Sequence, residues 1–109
     1  MAIAYKVLGQ VAPSATTSTT VYTVPASTEA IVSSVTICNR SSSSGTFRLA
    51  VRPDGATLAN EHYVVYDTSI AANDTIILTV GLTLDATDVL EAYASSADMS
   101  FHAYGSEIS

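Results

Sequence analysis

Three side chains in this sequence have the chemistry of a nucleophile, a general base or a soft metal ligand: Cys38, His62 and His102. A hydrolytic centre needs a nucleophile beside a base, with donors aimed at the charge that develops. A structural zinc site needs a closed set of sulfur and nitrogen ligands. One cysteine and two separated histidines supply neither by spacing. His62 follows Glu61, but no second histidine stands four residues on, so the helical zinc-protease pattern is absent. Cys38 lies in an apolar stretch, where cysteine packs as a small hydrophobe with an unactivated thiol.

The carboxylates raise calcium as an alternative. Asp54, Asp67, Asp74, Asp85, Asp88 and Asp98 all fall at predicted strand ends or turns, and loops gathered at one end of a sandwich can offer six to eight oxygens. No EF-hand spacing occurs, however, and aspartate favours turns because its side chain bonds nearby backbone amides. No glycine-rich phosphate loop and no Gly-x-Ser-x-Gly elbow are present. A glycosidase's paired carboxylates lie within the composition, but a chain of this length leaves little room for a cleft. Asn39-Arg40-Ser41 and Asn73-Asp74-Thr75 match the glycosylation pattern. The first residues lack a basic segment and apolar stretch, so no signal peptide and no glycan are expected. The sequence thus points to no catalytic residue, no metal and no cofactor.

The tyrosines and hydroxyls remain. Tyr63 and Tyr66 straddle two valines, and Tyr22, Tyr93 and Tyr104 lie in other apolar stretches. A tyrosine combines a large ring with a polar tip, so it serves core edges and interfaces alike. Fifteen serines and fourteen threonines supply most of the polarity, while only 13% of residues are charged. Such a surface is cheap to bury, because charged groups are the costly ones to strip of water. Candidate interface residues are Tyr63, Tyr66, His102 and Tyr104.

The elements that must position these residues are strands. Phe47, Leu49 and Val51 alternate with Thr46, Arg48, Ala50 and Arg52, as a half-buried strand requires. Ile76, Leu78 and Val80 alternate with Thr75, Ile77 and Thr79; Met99, Phe101 and Ala103 alternate with Ser100, His102 and Tyr104. The stretch 30–38 is apolar on both faces, with Ile31, Val35 and Ile37 against Val32, Thr36 and Cys38, which predicts a central strand. Pro25-Ala26-Ser27, Ser41 to Gly45, Pro53-Asp54-Gly55 and the Asn- and Asp-bearing stretches 71–74, 85–88 and 95–98 are turns. Strands are predicted near 5–11, 19–24, 29–39, 46–52, 62–67, 75–80, 88–94 and 98–106, with 12–20 as an extended crossover between sheets. No α-helix is expected. The fold is all-β: one antiparallel β-sandwich domain over residues 1–109, jelly-roll-like, with about eight strands. Phe47, Leu49, Val51, Ile76, Leu78 and Phe101 are expected in its core.

Composition closes off other classes. A chain of 109 residues fits one domain. A net charge of −6, from 4 basic and 10 acidic residues, argues against nucleic acid and against anionic membrane surfaces. A single cysteine excludes an internal disulfide framework. No apolar run approaches the length of a membrane-spanning helix.

Across nearly its whole length the chain resembles small virion proteins of tailed bacteriophages, in particular phages of cyanobacteria and marine bacteria. The likeness lies in Val7-Leu8-Gly9-Gln10, Ala12-Pro13, Tyr22-Thr23-Val24-Pro25, Cys38-Asn39-Arg40 and Phe47 to Pro53. It continues in Asn60-Glu61-His62-Tyr63, Asn73-Asp74-Thr75 and Ala86-Thr87-Asp88-Val89. The resemblance implies a non-enzymatic structural component of the virion, made in the host cytoplasm. A capsid decoration (cement) protein on the outer shell is the first expectation, and a small tail, neck or baseplate-associated protein the alternative. Its partners would be other copies of itself, as a dimer or trimer, and the major capsid protein or tail proteins. A host-surface carbohydrate-binding module is a further alternative, with Tyr63 and Tyr66 as its sugar-facing rings; the lack of tryptophan counts against it.

Overall fold

The computed structural model describes residues 2–109. Eight strands follow in chain order: β1 (Ile3–Val11), β2 (Thr19–Thr23), β3 (Glu29–Asn39), β4 (Gly45–Arg52), β5 (Tyr63–Ile70), β6 (Thr75–Leu84), β7 (Val89–Ala94) and β8 (Met99–Ile108). Two short 3₁₀ turns, Pro53–Gly55 and Asn60–His62, lie between β4 and β5. β-Branched residues fill the strands because they pack well on a pleated surface. Left-handed backbone in the turns falls on residues that favour it at Asp54 (φ 55°), Gly55 (67°) and Asn73 (56°), and also on Thr16, Ser27 and Thr87, which do not.

Two four-stranded antiparallel sheets form, sheet A in the order β1-β8-β3-β6 and sheet B in the order β2-β7-β4-β5. The pairs β1–β8, β2–β7, β3–β6 and β4–β5 nest inside one another along the chain. Folding such a nested ribbon across two sheets gives the jelly-roll order expected from the sequence. The segment 12–18 carries the chain from sheet A to sheet B, as predicted for a crossover.

The core lies between the sheets. Phe47, Leu49, Leu90, Ile37, Val35, Met99 and Phe101 are fully buried, and the rings of Phe47 and Phe101 meet edge to face at 6.2 Å. Of the expected core set, Phe47, Leu49 and Phe101 are fully buried, while Val51, Ile76 and Leu78 pack half-buried against them. On one side of the sandwich β1 and β2 close on each other. A Cβ on Gly9 would stand only 2.0 Å from the Val21 carbonyl oxygen, so this approach needs glycine. On the opposite side β5 and β6 leave an open groove of about 550 Å³, lined by Val51, Tyr63, Val64, Leu82 and their neighbours.

Two expectations about β3 are corrected. Its alternation slips at a bulge between Val32 and Ser34, so Ala30, Val32, Val35 and Ile37 all face the core and Ile31 faces out. Cys38 is not in the core: it lies half-buried on the outer face of sheet A. β3 is central within its sheet, with β8 and β6 on either side. Being central in a sheet is a different property from being covered on both faces.

Candidate functional site

The two outer faces of the sandwich are unlike. On sheet B, β4 and β7 place Arg48, Ala50 and Arg52 beside Tyr93, Glu91 and Val89. The segment 53–62 folds back over them, setting Leu58 beside Ala50, Tyr63 and Tyr93. Arg52 Nη1 donates to the carbonyls of Gly55 (3.0 Å) and Ala56 (2.8 Å), and its Nη2 lies 3.1 Å from Glu91 Oε1. Arg48 is held more closely still. Its Nε and Nη2 donate to the two oxygens of Asp67 at 2.6 and 3.2 Å. Its guanidinium carbon lies 4.2 Å from the ring centres of both Tyr66 and Tyr93. Flat, delocalised charge suits this double stacking. The Arg48 guanidinium bonded to it holds the Asp67 carboxyl below its ordinary range, and the same bond from the carboxylate raises Arg48 above its own.

The outer face of sheet A carries no such cover and no such charge. Ile3, Tyr5 and Val7 on β1 stand opposite Ile108, Ser106 and Tyr104 on β8. Tyr104 stands opposite Ser34 on β3, and Ile31, Thr36 and Cys38 share that face. β6 adds Thr75, Ile77, Thr79 and Thr83. Among the described residues the outward positions between Glu29 and Arg40 are aliphatic, hydroxyl, thiol, tyrosine, glutamine and histidine side chains; Arg40 Nε reaches Ser100 Oγ at one end, and Lys6 lines the hollow beside Tyr5. Tyr5 is 83% exposed and Ile77 68%. A shallow hollow of about 430 Å³ runs between Tyr5, Ile31 and Tyr104.

The four candidate interface residues therefore divide into two pairs on opposite sheets. His102 and Tyr104 lie together on the bare face, where Tyr104 Oη is 3.2 Å and Gln10 Nε2 3.1 Å from His102 Nδ1. Tyr63 and Tyr66 lie on β5 of sheet B with rings 4.8 Å apart, edge to face, and Tyr66 is stacked on Arg48. The ring that a sugar would stack on is thus already engaged on one side.

The residues suspected of chemistry separate as well. Cys38 and His102 share the outer face of sheet A on neighbouring strands, yet no hydrogen bond joins them among the described residues. His62 Nδ1 accepts the Ala59 N–H at 3.0 Å and so closes the turn before β5. Asp88 accepts from the backbone of Asp54 and of Asp85, each at 2.8 Å, and Asp74 accepts from Thr75 N–H, as turn aspartates do; Asp67, expected at a strand end, instead lies within β5 and pairs with Arg48. Among the described residues no group of three or more His, Cys, Asp or Glu side chains is placed to hold a metal ion.

Two structural anchors were not singled out by sequence reasoning. Asn39, 1% exposed, donates through Nδ2 to the carbonyls of Ser43 (3.0 Å) and Ala71 (3.1 Å) and accepts from Ser41 N–H (3.0 Å). It fastens the 40–44 loop to the β5–β6 turn. Glu107 accepts from Tyr22 and lies 2.9 Å from Lys6 Nζ. The signal available for Asn39 was a polar residue in phase with Val35 and Ile37, legible once those two are known to face the core. A scan against models of protein families and a search of curated proteins both find no match.

Proposed function

We propose that this chain is a non-enzymatic structural subunit of a tailed-phage virion, docked on the capsid as a decoration protein. The single observation that carries this reading is the contrast between the two outer faces. Sheet B pairs its charges, Arg48 with Asp67 and Arg52 with Glu91, and Arg52 is bonded to the 53–62 segment, while the outer face of sheet A is uncovered and carries charge only at its margins, with Tyr5, Ile31 and Ile77 exposed. Four strands of about ten residues span roughly 600 Å² of sheet, approaching the 800 Å² or so that each partner gives a standard interface. Hydroxyls and small aliphatics can be desolvated there at little cost. The jelly roll, a fold found in viral shell and lectin domains, agrees by analogy of fold alone. Tail or neck placement would use the same face, so position in the particle separates the two. The carbohydrate reading has less support, since Tyr66 and Tyr93 already enclose Arg48.

The test is a density map of purified particles together with mass spectrometry of their proteins. Copies seated on the outer shell through sheet A support the proposal, copies confined to the tail or neck replace decoration by the alternative role, and absence from purified particles ends the virion reading.

A further inference from the structure

The two sides of the sandwich are finished differently. β1 and β2 close on each other at Gly9, whereas β5 and β6 leave the groove of about 550 Å³ between the sheet edges. Its walls are mostly apolar, with Val51, Val64, Leu82 and Leu84 beside the Tyr63 ring. Val64 is 45% exposed and Leu82 half-buried, so this apolar surface stands partly in water. The groove is open to solvent, and a small molecule in it would keep much of its surface wet, unlike the ligand of an enclosing pocket. An extended chain laid between layers about 10 Å apart suits the shape better.

The charge around the groove indicates what such a chain should carry. Three ion pairs engage Lys6, Arg48 and Arg52 with Glu107, Asp67 and Glu91. Five of the other carboxylates, Glu29, Asp54, Glu61, Asp85 and Asp88, gather at one end of the sandwich. Glu61 lines the groove itself. Asp85 follows Leu84, whose ladder partner Ala30 follows Glu29. Asp88 accepts from the backbone of both Asp54 and Asp85, which brings those three together. Among the described residues none of the five has an ion-pair partner. Asp74, Asp98 and the fourth basic residue, Arg40, lie at the opposite end. Most of the net charge of −6 therefore sits at the end where the apolar groove lies.

We propose that the groove between β5 and β6 takes an extended segment of another protein, one that alternates apolar side chains with lysine or arginine. Successive side chains of an extended chain point to opposite faces, so the apolar set can rest on Val51, Val64 and Leu82. The basic set is then left at the rim, beside Glu61 and its acidic neighbours. Complementary charge of this kind speeds encounter and rejects wrong partners. A second copy of this chain is a poor occupant, because it carries the same net charge of −6 and three of its four basic residues are already paired. Nucleic acid is repelled for the same reason. The groove is separate from the outer face of sheet A, so this contact adds to docking through that face and does not depend on it.

The test titrates the full chain with three short peptides and follows backbone amide shifts by NMR. One alternates lysine with valine, one lysine with serine, and one glutamate with valine. The lysine–valine peptide should bind saturably, move the amides of Val51, Val64 and Leu82, and weaken as salt rises. The other two should bind at least about tenfold more weakly, since each lacks one half of the match. Glu61→Lys and Asp98→Lys change the net charge equally at exposed sites on opposite ends, and both should fold normally by circular dichroism. Only Glu61→Lys should weaken the lysine–valine peptide, again by at least about tenfold. Equal binding by the lysine–serine peptide, or equal loss in the two variants, would reduce the contact to net charge and overturn the proposal. Equal binding by the glutamate–valine peptide, no saturable binding, or shifts outside the groove would overturn it too. So would shifts at the groove on raising protein concentration alone, which would assign it to a second copy. The virion reading survives each of these failures and falls only if the chain is absent from particles.

Discussion

The hydroxyl of Tyr22, on β2 of sheet B, donates a hydrogen bond to Glu107, on β8 of sheet A, and ties the two sheets together at their closed side. Lys6 completes the group from β1. The Tyr22 bond first, and Lys6 second, hold the Glu107 carboxyl below its ordinary 4.5. Burial, with the carboxylate beside it, raises the Tyr22 hydroxyl above its ordinary 10.0.

A carboxyl with a lowered value stabilises the fold above its unfolded value, and the contribution is lost as pH falls through the folded one. A phenol with a raised value stabilises below its unfolded value, and the contribution is lost as pH rises beyond. Stability should therefore decline below pH 4.5 and above pH 10.0. Tyr22→Phe should cost about 1.5–3 kcal/mol near neutrality, as for a hydrogen bond to a charged group. Urea unfolding across pH checks both points. A cost for Tyr22→Phe that is the same in acid as at neutrality would count against the linkage.

Phe47→Ala should cost about 3–5 kcal/mol, since the ring is fully buried against Phe101 and its removal leaves a cavity. That is a large part of the 5–15 kcal/mol or so that holds a typical domain together. Melting within a degree or two of the parent would mean that the sheet faces are misassigned.

Asn39→Ala should cost about 2–3 kcal/mol, because it strands the carbonyls of Ser43 and Ala71 and the amide of Ser41 at a buried site. Hydrogen exchange should show the loss as faster opening of the 40–44 loop and the β5–β6 turn. Exchange unchanged in those two loops would show that Asn39 does not join them.

Attachment to particles should survive a wash at about 1 M salt, where the Debye length is only about 3 Å. The outer face of sheet A, the proposed docking face, holds no ion pair among the described residues. Release in moderate salt would point to sheet B and its arginines instead.

Much of this architecture is legible in the amino-acid order because alternation and turn chemistry act locally. Phe47 and Leu49 face inward and Arg48 outward as their spacing requires, and Pro53-Asp54-Gly55 turns where it should. What alternation cannot reveal is a slipped residue. The bulge beside Ser33 reverses the phase of β3 and hides the exposure of Ile31, while Asn39 keeps the inward phase of Val35 and Ile37. β6 runs on to Leu84 rather than stopping near 80, because Gly81, at φ 60°, interrupts the pattern without ending the strand. His62 reads as a strand residue but closes a turn. The candidate site was harder still. His102 and Tyr104 are two apart on one strand, so their meeting is local, whereas the enclosure of Arg48 depends on β4 lying between β5 and β7. Strand order of that kind is set by the whole chain.

The nested pairing of strands also has a kinetic side. β4 and β5 follow one another in the chain, with only residues 53–62 between them, but β1 and β8 bring residues such as Ile3 and Ile108 together from opposite ends of the sequence. Closing that outermost loop directly is entropically costly, whereas closing it after β4–β5, β3–β6 and β2–β7 have formed leaves only short gaps to bridge. Refolding should therefore be slow, on the order of milliseconds to seconds. Substitutions in the β4–β5 hairpin should slow refolding, while those in β1 should mainly speed unfolding. Stopped-flow measurements on the two classes of variant would reveal whether this chain zips from its middle outward.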